Sequence, residues 1–280
     1  MRYKILHTTT YHYSKPVELE PHIIRLRSRS CVFQTLHKFA LEITPQPTGI
    51  SEILDWEGNS IIKTWFNQPT EKLNLKVISE VETHCLNPFN YLLEPWAVTL
   101  PIIDYPQSML THLQPYLQHS GDPISVQLAQ EISHKVNGQM VLFLSELNNL
   151  IYRTCTYTVR ETGEPYPPSI TWKKQLGSCR DLAVLFMDTC RAIRLASRFV
   201  SGYQEGDPDN DERHLHGWAE VYLPGAGWRG FDPSHGLAVS DRHIILAASA
   251  HPRYAAPISG SFRGVGAQSN IEYTLSIQSI

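Results

Sequence analysis

Apolar and polar residues alternate along much of the first 85 positions. Residues 3–13 are rich in β-branched and aromatic side chains. Residues 38–44 alternate through Phe39, Leu41 and Ile43 before Pro45 stops the run, and residues 73–83 alternate through Leu73, Leu75, Val77 and Val81. A period of two places one face of each segment against a core. Asp55-Trp56-Glu57-Gly58-Asn59 reads as a turn whose second strand covers residues 60–66. Short strands punctuated by turns predict a small antiparallel β-sandwich or barrel over residues 1–85.

The pattern then changes. Residues 86–122 are a proline-interrupted connector, ending where Asp122 offers an N-cap and Pro123 suits the first position of a helix. Helical spacing follows through Val126, Ala129, Gln130 and Ser133, and again over residues 141–152. A proline-rich loop over residues 163–169 precedes the segment with the most chemistry. Residues 123–280 are thus expected to form a mixed α+β unit behind the β-rich region.

Hydrophobic content of 42% with 18% charged residues supports a folded chain rather than a disordered one. A net charge of −3 offers no basic field for a phosphate backbone, so nucleic acid is not an expected partner. The first residues, MRYKILHTTTYHYSKP, have a basic start but no apolar run of signal-peptide type, and no later run is long enough to span a bilayer. Cys31, Cys85, Cys155, Cys179 and Cys190 are odd in number and scattered, with no Cys-x-x-Cys pair. A reducing, cytoplasmic setting without a membrane partner is therefore the expectation.

Gly177-Ser178-Cys179-Arg180-Asp181 opens a helix. Ser178 and Asp181 have capping-box spacing, and Leu182, Leu185, Phe186, Thr189 and Ile193 form an apolar stripe opposite Asp181, Asp188 and Arg191. Cys179 would then be the first helical residue. The positive end of the helix favours a thiolate by only about 0.3–1 kcal/mol, so a reactive sulfur needs a histidine partner. By itself Cys179 reads as a packed thiol, since free cysteine is among the most buried residue types.

The downstream segment changes that reading. Residues 213–223 form a strand, Pro224-Gly225-Ala226-Gly227 a turn, and residues 228–232 a second strand ended by Pro233. If Tyr222 pairs with Trp228, Asp232 falls opposite Trp218. His216 becomes its diagonal neighbour, about 7–8 Å away along the backbone and bridgeable by one hydrogen bond. A slip of one residue would put the two on opposite faces. A zinc site needs three or four ligands, and the extra donors nearby are His214, on the other strand face, and His235. Asp207, Asp209, Asp211 and Glu212 read as a solvated acidic loop.

Gly-x-Cys-Arg-Asp at a helix start, then Ser201-Gly202-Tyr203, His216-x-Trp218 running into Glu220 to Gly225, Gly227-Trp228 and Phe231-Asp232-Pro233, resembles the bacterial transglutaminase-like superfamily. The start of the chain is similar to the β-rich N-terminal region of that family. The resemblance implies an α+β fold, with a papain-like, transglutaminase-like core preceded by a small antiparallel β-sandwich or barrel. It also implies a Cys179-His216-Asp232 triad acting on peptide or amide bonds of a peptide or protein substrate. No cofactor or metal is implied. Hydrolysis by a peptidase or amidase is the expected outcome, with glutamine cross-linking by the same triad and a non-catalytic binding scaffold as the alternatives. Trp172, Gln175 and Trp218 are candidates for the oxyanion donor or the cleft. Gly217 stands where the family usually has alanine, and residues 251–254 follow its Gly-Arg-Asp-Tyr pattern only loosely.

Overall fold

In the computed structural model, which describes residues 1–160, 162–206 and 214–280, the alternating segments become strands. These are β1 (Arg2–Leu19), β2 (His22–Ile24), β3 (Gln34–Thr44), β4 (Gly49–Leu54), β5 (Ser60–Trp65) and β6 (Thr70–Thr83). β1 lies beside β6, and β6 beside β3; β2 lies beside β5, and β5 beside β4, all antiparallel. The period-two pattern is the reason: Tyr3, Ile5, Leu73, Leu75, Val77 and Val81 are all buried, and their neighbours in sequence face outward or lie part-exposed.

Among the described residues, five α-helices and ten further strands follow. α1 (Gln107–Leu113), α2 (Pro123–Lys135) and α3 (Met140–Thr154) lead into β7 (Thr156–Tyr157), α4 (Pro168–Lys174), β8 (Leu176–Gly177) and α5 (Cys179–Ala192). β9 (Ser197–Gln204), β10 (Leu215–Leu223), β11 (Gly227–Asp232), β12 (Leu237–Ala238) and β13 (His243–Ser249) make an antiparallel sheet in the order β12-β11-β10-β9-β13. β14 (Ile258–Ser259), β15 (Phe262–Arg263) and β16 (Ser269–Ser279) end the chain. Among the described residues no helix is long and apolar enough to cross a membrane, and all five cysteines are free thiols.

The structure departs from the sequence reading in four places. The connector is not a linker, because it contains α1 and sends Leu100, Ile102, Tyr105 and Leu113 into the main core with α2, α3 and α5. α2 starts as expected, with the Asp122 carboxylate accepting the Ile124 N–H at 2.9 Å, but its buried stripe is Ser125, Leu128, Ala129 and Ile132. α5 has no solvent face. Asp188 accepts from Ser120 N–H and Oγ at 2.7 and 2.8 Å, and Arg191 donates to the carbonyls of Ser197 and Ala250 at 2.8 and 2.6 Å. These polar residues are buried because backbone and hydroxyl groups of other elements satisfy them. Finally, the last strands leave the segment expected as one core over residues 123–280: β14 pairs with β2, and β16 with β1 from Tyr3↔Ser279 to Tyr13↔Ser269. The acidic loop of Asp207, Asp209, Asp211 and Glu212 lies outside the described residues.

The N-terminal sheets and the α5-containing unit share one apolar cluster, in which Tyr203, Ile244 and Leu246 join Tyr3, Ile5 and Leu75. Polar groups fix the orientation. The outer edge of β13 would leave backbone groups unpaired, and two amide side chains take the place of a strand. Gln34 accepts the Ile245 N–H at 2.7 Å and donates to its carbonyl at 2.8 Å. Asn59 does the same for Ala248, at 2.9 and 2.8 Å. Asn59 is held for this by its own turn, where Gly58 has φ +78° and Asp55 accepts the Asn59 amide at 2.9 Å.

Asn59→Ala strands both backbone groups of Ala248 and is expected to cost about 1–3 kcal/mol. Urea unfolding checks this, with Trp56→Ala, 86% exposed in the same turn, expected to leave the midpoint unchanged.

Candidate active site

Cys179 opens α5, with Ser178 as N-cap in extended conformation. The helix start is held by a buried carboxylate. Asp181 accepts the Ser178 N–H at 2.8 Å, the Ser178 hydroxyl at 2.7 Å, the Tyr166 N–H at 2.7 Å and Arg160 at 2.5 Å. Burial alone would raise its pKa, but these donors outweigh burial and hold it below the usual carboxylate range. Asp181 is therefore a cap, as its spacing indicates. Gly177 is required because a Cβ there would stand 2.9 Å from Asp181 Cβ and 3.2 Å from Thr171 Cγ2.

Tyr222 pairs with Trp228, which is the register that puts His216 and Asp232 on one face. His216 Nε2 donates to Asp232 Oδ2 at 2.7 Å, and both residues are buried. The Cys179 thiol is the ring's other hydrogen-bonding side chain, so Nδ1 is the nitrogen that faces sulfur. Burial would depress the His216 pKa. The Asp232 charge and hydrogen bond overcome that effect, with a further contribution from Cys179, and carry it up to about 10. For Asp232, burial raises the pKa but His216, His235 and His243 together push it well below 3.8.

Asp232 has more partners than the sequence indicates. Oδ2 accepts from His216, from His235 Nδ1 at 3.0 Å and from His243 Nε2 at 3.1 Å. Oδ1 accepts the Ser234 N–H and hydroxyl at 3.0 and 2.7 Å. His243 stands at the start of β13 and is buried. Burial lowers its pKa, with Asp232 acting in the opposite direction, so it donates as a neutral ring. The one sign of it in the sequence is a lone histidine heading an otherwise apolar run, His243 to Ala248. His216, Asp232 and His243 present ligand-type atoms within 4.8 Å of one another, so the extra donor here is His243 and not His214 or His235. The ring nitrogens of His216, His235 and His243 converge on the carboxylate oxygen itself, so a cation would have to displace that oxygen.

Trp218 lies beneath the histidine rather than in the cleft. It is fully buried, stacked on the His216 ring at 6.1 Å between centroids and edge-on to His243 at 5.2 Å. Its ring packs where a Cβ on Gly202 would come within 2.4 Å, which explains the glycine of Ser201-Gly202-Tyr203. Tyr203, next along β9, hydrogen-bonds His7 of β1 at 2.9 Å.

A cleft of about 300 Å³ opens over Cys179 and His216. Trp172 packs against the main core, and Gln175 is exposed with φ +48° at the end of α4; neither lines the cleft. Tyr157 does line it. Its strand β7 runs parallel to β8, with Tyr157 opposite Gly177, two residues before the thiol. Pro252 and Arg253, from the segment that follows the family pattern loosely, also line it, as does His214, which hydrogen-bonds the Tyr273 hydroxyl. His214 shares the His216 side instead of the other strand face, since residues two apart point the same way.

The pH dependence of the His216–Asp232 pair follows from the two shifts. The His216 contribution to stability is full below its ordinary 6.5 and is lost as pH rises through about 10. The Asp232 contribution is present above 3.8 and is lost as pH falls well below it. Asp232→Asn should therefore destabilise most between about pH 4 and 6.5, with the deficit shrinking towards pH 10. Chemical unfolding of both proteins across pH measures this; a deficit that grows above pH 8 would contradict it.

Residues 3–82 match the bacterial transglutaminase-like N-terminal region, and residues 126–233 match the transglutaminase-like superfamily. An uncharacterized protein of Mycobacterium tuberculosis is 27% identical over 275 residues, covering 92% of this chain and 87% of the relative. One from Mycobacterium leprae is 22% identical, covering 95% of each. The crystal structure of a candidate cysteine protease from Cytophaga hutchinsonii superposes with a TM-score of 0.75 over 100% of this chain and 91% of its own, at 20% identity, a likeness of fold. The chain belongs to the transglutaminase-like superfamily, in the form that carries the bacterial N-terminal region.

Proposed function

We propose that this protein is a thiol-dependent hydrolase of peptide or amide bonds, with Cys179 as nucleophile, His216 as base and Asp232 as the group that orients the base. The observation that carries this reading is a histidine set between a helix-tip thiol and a buried, ionised carboxylate. His216 takes the Cys179 proton through Nδ1, and the sulfur adds to the amide carbonyl. The resulting imidazolium is stabilised by Asp232 and returns the proton to the leaving nitrogen, giving a thioester and a free amine. Water, deprotonated by the same ring, then releases the acid and restores the thiol.

The Cys179 N–H at the helix start is one donor for the tetrahedral oxyanion. The second is the Tyr157 hydroxyl in place of Trp172 or Gln175. Burial, and then the neighbouring Cys179, raise the Tyr157 pKa, so it keeps its proton for donation. Water rather than a protein amine resolves the thioester in this reading, because the cleft has walls on two sides and a modest volume.

Cys179→Ala should abolish turnover of peptide and amide substrates, chelators should leave it unchanged, and an added primary amine should not divert the product. Transfer to the amine as the main product would favour cross-linking instead. Tyr157→Phe should lower kcat about 10²–10³-fold with little change in KM. In the wild type, Cys179 should alkylate with iodoacetamide at pH 6 faster than exposed Cys31, whereas buried Cys190 should not react. Equal rates at Cys179 and Cys31 would leave a binding scaffold as the better account.

A further inference from the structure

The cleft has one wall from the α5-containing unit and a second from the chain's two outermost long strands. Thr9 and Tyr11 of β1 line it, together with Tyr273 and Ile271 of β16. These are not scattered neighbours: Thr9 pairs with Tyr273 and Tyr11 with Ile271. Residues two apart on paired strands share a face, so the four side chains form one continuous patch. The patch belongs to the region matched as the bacterial N-terminal module and to the strand that completes its sheet.

On the opposite side Phe199 lines the same cleft, and its ring lies where a Cβ on Gly217 would come within 2.7 Å. Glycine at 217 therefore makes room for that ring. The cationic side chains at the rim are already engaged. Arg160 binds Asp181 and the carbonyls of Thr162 and Glu164, Arg180 binds the carbonyls of Arg160 and Thr162, and Arg253 reaches the Tyr254 hydroxyl. On its β1–β16 side, what the cleft offers a substrate is largely aromatic and aliphatic surface, from Tyr11, Ile271 and Tyr273.

We propose that the β1–β16 patch and Phe199 form a side-chain subsite, and that the substrate carries a large apolar residue, aromatic or branched aliphatic, on the acyl side of the attacked amide. The acyl residue remains tied to sulfur through the thioester, so a subsite in the same cleft as Cys179 holds it through both chemical steps. This inference rests on Cys179 acting as the nucleophile. It assigns the N-terminal region a part in substrate selection rather than recruitment of a separate partner.

The test uses the full chain and a panel of N-acylated aminoacyl coumarin amides bearing Phe, Leu, Gly or Asp. Phe and Leu should exceed Gly and Asp in kcat/KM by about 10–100-fold. Tyr11→Ala should cut the Phe and Leu values about tenfold. The Gly value and the rate at which iodoacetamide alkylates Cys179 should be unchanged. Ile271→Lys should move the preference from Phe towards Asp, and it carries the test should Tyr11→Ala fail to fold. Turnover without apolar preference, or a preference untouched by Ile271→Lys, overturns the subsite and leaves the thiol mechanism standing. No turnover, with Cys179 alkylating no faster than Cys31, overturns both.

Discussion

One buried carboxylate organises this molecule. Asp232 has no exposed surface, and its five hydrogen bonds draw on β10, the turn after β11 and the start of β13. An ionised group so deeply placed is tolerable only while those donors remain, because an unpaired buried charge costs several kcal/mol. The requirement works in both directions. The donors keep Asp232 ionised, and the ionised carboxylate fixes the His216 ring with one nitrogen towards sulfur. His235 and His243 share the same oxygen, so the charge that acts on His216 is divided among three rings rather than directed at one.

The second constraint is mechanical. β13 supplies His243 to that cluster and also forms the edge against which the N-terminal sheets dock, through Gln34, Asn59 and the apolar cluster around Tyr203. The N-terminal region and the histidine cluster are thus connected through one strand. Its placement beside the cleft follows from these side-chain contacts.

Much of this was legible in the sequence, for identifiable reasons. Period-two alternation revealed β1, β3 and β6, because each has one buried face. The Pro-Gly-Ala-Gly turn marked the β10–β11 hairpin, because turn residues are a local signal, and the Tyr222–Trp228 pairing that a shared face for His216 and Asp232 requires is the register found. The Ser178–Asp181 box marked the helix start because capping is a local interaction. What escaped were the long-range matters. The apolar stripe of α5 says nothing of what covers Asp188 and Arg191 opposite it, because their partners, Ser120 and the carbonyls of Ser197 and Ala250, arrive from elsewhere. β16 gave no hint of its partner, since alternation says that a strand has a face and not which sheet it joins. His243 and Tyr157 escaped for the same reason: each acquires its role from a neighbour distant in sequence.

The pairing of β16 with β1 has a consequence for synthesis. A growing polypeptide that has released α5, β10 and β11 already owns its thiol, imidazole and carboxylate, yet residue 243 is still to come and the cleft's outer wall waits for residue 273. Unfinished or prematurely terminated products would expose a sulfur without the surface that chooses what reaches it, and without the full set of donors that aligns its base. Joining β1 and β16 in one sheet therefore delays selective chemistry until residue 273 has been made.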